Sequence, residues 1–202
     1  MFRSVTIFSL VFMSTSLLAQ TPFSESFFMG DRKAILKACA GQARNIKPRD
    51  SKLLAECGRY FMAGGDPKSA DEAFLIATTL EPKDGKVLRL KGLAKLKQGQ
   101  RKEALTSYDL VTSRDPGNRE VMGLVAIDLA EAGLAAEANR YAQLAAAMDG
   151  GDWHRFIEFG RAFLVGGHRK EAAAWFSRAC ILKPGEEKVY LEVAKAFAEA
   201  GH

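Results

Sequence analysis

Cys39, Cys57, Cys180, His154, His168 and His202 are the side chains of this 202-residue chain best suited to nucleophilic, redox or metal chemistry. Their spacing supports none of these. A zinc-type site needs ligands at short intervals, such as Cys-x-x-Cys or two histidines one helical turn apart, and no such pair occurs. A Gly-x-Ser-x-Gly elbow, a phosphate-binding Gly-x-x-x-x-Gly-Lys loop and a Gly-x-Gly-x-x-Gly turn are also missing. Asp71 and Glu72 are adjacent, so on a helix they point to different parts of its surface and cannot flank one bond. The loop-like strings GGDP at 64–67 and GGDWH at 150–154 read as turns, with Asp66 and Asp152 capping the helices that follow. His154 and His168 sit near helix ends, where solvated or capping roles suit them. The expectation is a chain with no catalytic residues, no metal and no cofactor.

The cysteines leave one structural option. Cys39 and Cys57 fall on helices expected to be neighbours, and a disulfide forms there if their Cβ atoms approach to about 4 Å. The other reading is two small buried apolar side chains, and spacing alone leaves both open. Cys180, inside an apolar stretch, reads as a buried thiol.

The opening MFRSVTIFSLVFMSTSLLAQ pairs one basic residue, Arg3, with an apolar run that falls short of the ~20 residues a membrane-spanning helix needs. It reads as a signal peptide over residues 1–19, which makes the expected location periplasmic or secreted. Its removal lowers the formal charge from +5 to +4. No clustered Lys/Arg run of the kind that binds nucleic acid is present, and no later stretch is long and apolar enough to span a membrane. Residues 20–30 fit no repeat and form an N-terminal arm, in which Phe23, Phe27 and Phe28 have a first helix to dock on.

The elements that position everything else follow a 34-residue period. In frames beginning at Ser51, position 8 holds Gly58, Gly92, Ala126 and Gly160, and position 15 holds Gly65, Gly99, Gly133 and Gly167. Position 20 holds Ala70, Ala104, Ala138 and Ala172; position 24 holds Phe74, Tyr108, Ala142 and Phe176; position 32 holds Pro82, Pro116, Gly150 and Pro184. Two antiparallel helices approach closely only where facing side chains are small, and aromatic residues fill the space beside such contacts. The glycine at position 15 supplies a left-handed residue where the first helix ends, and proline at 32 stops the second. Four frames result, 51–84, 85–118, 119–152 and 153–186. A half unit precedes them and a terminal helix, 187–202, follows. Frame three lacks the aromatic at 24 and the proline at 32, which predicts looser packing there. Frame two carries Lys91 and Lys95 at inward positions, which requires a rolled helix or lysine stems lying along the groove edge.

These columns resemble the signature of the tetratricopeptide repeat family, and the resemblance covers residues 31–202. It implies an all-α, right-handed α-solenoid of helix pairs that binds proteins without catalysis. In that family the first helix of each pair lines a concave wall through positions 2, 5, 9 and 12. Carried onto this chain, the wall holds Lys52, Arg59, Lys86, Arg89, Leu93, Ile127, Ile157, Arg161 and Lys195. Such a wall is apolar along its floor with cations at intervals and suits a protein or peptide with acidic residues. The Lys and Asn pair that clamps a C-terminal carboxylate in some members is missing, since those columns hold Ala55 with Arg59 and Arg89 with Leu93. The expected function is an adaptor of the cell envelope; the alternative is a periplasmic chaperone or assembly factor for envelope or secretion components.

Overall fold

Asp50, Asp84, Asn118 and Asp152 recur at the repeat interval, and each accepts a backbone N–H from the first turn of the helix it precedes. Each such helix ends in a glycine with φ between 74° and 81°, at Gly65, Gly99, Gly133 and Gly167. The next residue's N–H then bonds back five residues, as from Asp66 to the Phe61 carbonyl and from His168 to the Phe163 carbonyl. That 6→1 bond is the Schellman closure, and it turns the chain sharply into the second helix.

The computed structural model describes residues 23–200, so the expected signal peptide lies outside the described residues. The helices are α1 (Glu25–Phe28), α2 (Arg32–Ile46), α3 (Ser51–Ala63), α4 (Pro67–Leu80), α5 (Gly85–Lys97), α6 (Arg101–Arg114), α7 (Arg119–Glu131), α8 (Ala135–Met148), α9 (Trp153–Val165), α10 (Arg169–Leu182) and α11 (Glu187–Ala200). Described residues contain no strand. Four antiparallel pairs, α3/α4, α5/α6, α7/α8 and α9/α10, stack so that each first helix packs on the next, ending with α11 on α9. α2 packs on α3, and the whole is an α-solenoid of tetratricopeptide-like helix pairs.

Inside three of the pairs a ring lies directly over a glycine. A Cβ on Gly58, Gly92 or Gly160 would come within 2.8, 2.5 and 2.3 Å of Phe74, Tyr108 and Phe176 respectively. The third pair uses Ala126 with Ala142, and the expected looseness there is not found. Val125, Leu129, Tyr141 and Ala142 are all fully buried. Tyr141, one position before the missing aromatic, supplies the volume and anchors its hydroxyl on Asp109 at 3.0 Å. Gly150 needs no proline, because α8 already stops at Met148.

In the second pair Leu88 is buried, and Lys95 lies along the helix surface with its ammonium 2.7 Å from Asp71. The Lys95 stem is largely buried, its side chain only 12% exposed, but it lies on the second-helix side against α4 and α6 and not along the groove edge. Phe23 stacks on Phe27 and Phe28 meets both rings edge-on, with ring centroids 4.6 to 6.0 Å apart.

Asp66 caps α4 by accepting the Ser69 N–H at 3.0 Å, and that bond holds its carboxyl below the ordinary carboxylate value. A depressed folded-state value means that the cap's contribution is present above the unfolded value and is lost as pH falls through the folded one. Wild type should exceed Asp66→Ala by about 1 kcal/mol at neutral pH. The gap should close in acid, as urea midpoints across a pH series will read.

Candidate interaction groove

Positions where successive first helices meet carry cations and acids in a consistent order along the stack, the cation reaching toward the following helix. Lys52 of α3 lies 4.0 Å from Asp84 at the start of α5, and Lys86 of α5 lies 3.3 Å from Glu120 of α7. Arg119 of α7 reaches Asp149 and, at 3.8 Å, Asp152 at the start of α9. Arg161 of α9 pairs with Glu192 of α11. Each cation sits on one first helix, and its acid lies on the next first helix or in the turn leading into it.

Arg89 belongs to the interior of this ladder. Its Nε and Nη2 donate to the two carboxylate oxygens of Asp128 at 2.8 and 2.7 Å, and the Tyr108 hydroxyl donates to the same carboxylate at 3.3 Å. Asp128 is buried and the Arg89 side chain is 19% exposed. Burial pushes the Asp128 carboxyl and the Tyr108 phenol above their ordinary values, so the phenol stays a neutral donor. This triad joins repeats two and three, and Arg89 is thereby withdrawn from the free cations of the wall.

The other expected wall residues divide into paired cations and floor. Arg59 is tied to Glu56 at 2.9 Å and stacks over Tyr60, while Lys195 lies 3.9 Å from Glu199. Ile127 is half-buried, and Ile157 is buried yet lines a hollow. The cations expected at intervals along the wall are therefore largely paired with acids, on the same helix, on the next first helix or in the turn before it. Asp84 and Glu192 lie outside the columns read as the wall.

Two hollows of about 300 Å³ interrupt the first-helix wall. One lies between α9 and α11, lined by Trp153, His154, Ile157, Glu158, Arg161, Lys188, Leu191 and Glu192. Trp153 and His154 stack there with centroids 3.6 Å apart. Arg161 lines the same hollow, and its Nε is a buried donor without a hydrogen-bond partner among the described residues. The second lies between α3 and α5, where Met62, Ala63, Leu93 and Ala94 form an apolar floor flanked by Arg59 and Lys97.

Cys39 and Cys57 are both free thiols in this structure and face a third, strongly apolar hollow of about 340 Å³ between α2 and α3. Burial raises the Cys57 thiol above its ordinary value, which keeps it protonated. His168 donates from Nε2 to the Gly133 carbonyl at 3.0 Å, tying two successive turns together. No group of three or more metal-ligating side chains occurs among the described residues.

No protein-family model and no curated protein matches the chain. Among solved structures it is similar to two crystal structures of MamA. One shares 16% identity over 75% of this chain and 89% of that one, with a TM-score of 0.49. The other shares 16% identity over 77% and 87%, with a TM-score of 0.50. The second likeness supports the solenoid fold and nothing narrower, because at that identity side chains do not transfer.

Proposed function

We propose that this solenoid is a non-catalytic scaffold of the cell envelope that holds a segment of a partner protein along its first-helix wall. The observation that carries the reading is the hollow beside Arg161: Ile157 and Leu191 supply apolar surface, Trp153 and His154 an aromatic pair, and Arg161 and Lys188 cations. An apolar side chain entering there brings a neighbouring carboxylate within reach of those cations. An extended peptide with an acidic residue next to an apolar one fits both this hollow and the one beside Arg59 and Lys97.

Photocrosslinkers placed at His154 and Leu93 test the wall against Leu75 and Ile181, which are exposed on second helices. Partner adducts should form at the first two and not at the last two, and adducts confined to Leu75 and Ile181 would defeat the reading. Arg161→Gln should weaken capture about tenfold, equivalent to about 1.4 kcal/mol, with helicity unchanged.

A further inference from the structure

The two ends of the stack carry halves of one helix pair. α11 is a first-type helix, and among the described residues no second helix covers it. It leaves Ala194 exposed and Tyr190 48% exposed. At the other end, α2 is a second-type helix, and the apolar hollow between it and α3 lies where a preceding first helix would seat. It is lined by Ile35, Leu36, Cys39 and Ala43 of α2 together with Leu53 and Cys57 of α3.

We propose that α11 of one copy docks in the α2/α3 hollow of the next, completing a repeat across two chains and building a head-to-tail assembly. The repeat numbering of the molecule itself supplies the fit. Carried across the junction, position 8 is Ala194 and position 24 is Ala40, the same alanine pair that Ala126 and Ala142 make inside repeat three. The ionic ladder also continues. Arg161 at position 9 pairs with Glu192 at position 6 of the next first helix; across the junction those positions are Lys195 and Glu56. Lys52 at position 2 lies beside Asp84 at the next helix start; across the junction those places are held by Lys188 and Asp50.

The charge of the two ends agrees with this. Residues 31–52 carry seven basic and two acidic side chains, and residues 186–200 carry four acidic and two basic ones. Such a contact is heterologous, so it repeats without closing unless the rotation happens to form a ring.

Sedimentation velocity of the full chain over a concentration series tests it. Wild type should climb through dimer to higher multiples of the protomer. Ala194→Arg blocks only the tail and Leu36→Asp only the head, so each alone should stay a protomer. An equimolar mixture of the two should stop at the dimer, through the one junction still intact. Lys195→Glu and Glu56→Lys should each weaken assembly at least tenfold, and the double exchange should restore it; this pair decides the matter if Leu36→Asp fails to fold.

Three results would overturn the proposal: a wild-type protomer at every concentration to the millimolar range, assembly of Ala194→Arg/Leu36→Asp equal to wild type, or no rescue by the double exchange. A wild-type protomer whose Leu36→Asp variant loses its cooperative melt would show the hollow filled from within the same chain, which also overturns it.

Discussion

Asp128→Ala is expected to lower folding stability by about 3–5 kcal/mol, because it leaves the mostly buried Arg89 guanidinium without its carboxylate. Against the 5–15 kcal/mol that holds a typical domain together, that is a large share. The same change removes the acceptor of the Tyr108 hydroxyl, whose ring lies over Gly92, so the damage reaches the packing of α5 on α6. Removing both charges is a different experiment. Arg89→Met with Asp128→Leu keeps volume and leaves no buried charge, and it should recover most of the loss. Urea denaturation followed by circular dichroism reads all three chains. An Asp128→Ala variant within about 1 kcal/mol of wild type would mean that the pair is solvated after all and does not join repeats two and three.

The triad also marks where the sequence stops being legible. Glycines 65, 99, 133 and 167 are readable because a left-handed residue admits almost nothing else, and their φ values match that expectation. The rings over Gly58, Gly92 and Gly160 are readable for a similar steric reason. The capping column of Asp50, Asp84, Asn118 and Asp152 stands at the same interval, but a reading fixed on small and aromatic residues picks out only Asp152 from it.

Asp128 had a signal too. It shares position 10 with Tyr60, Ala94, Ala162 and Ala196, and a lone carboxylate in so apolar a column must find a cation. Which cation it finds depends on how one helix crosses the next, and spacing does not encode that angle. The same blindness makes the wall look basic. Lys52, Lys86 and Arg161 are visible as cations, while the acids that pair with them lie about 30 residues on, at or within the next first helix, whose relative rotation only the structure supplies. The relation of Cys39 to Cys57 is hidden for that reason as well.

A double-mutant cycle at Gly160 and Phe176 tests the packing rule that underlies the whole stack. Gly160→Ala alone places a Cβ within 2.3 Å of the Phe176 ring, so the ring must leave its seat; overpacking of this kind costs about 1–3 kcal/mol. Phe176→Ala alone empties a buried site, at about 3–5 kcal/mol. If the two changes were independent, the double variant would lose their sum. Repeat three says otherwise, because Ala126 and Ala142 sit at the equivalent positions and are fully buried without a ring between them. With Ala at both places α9 and α10 can settle at the same contact, with Trp175 standing where Tyr141 stands in repeat three. The double variant should therefore be more stable than the sum predicts by at least about 1 kcal/mol, inside the range expected for touching residues. Thermal or urea unfolding of the four chains gives the coupling directly. Simple additivity would mean that the glycine and the ring are chosen separately, and that the 34-residue columns record helix propensity instead of a shared contact.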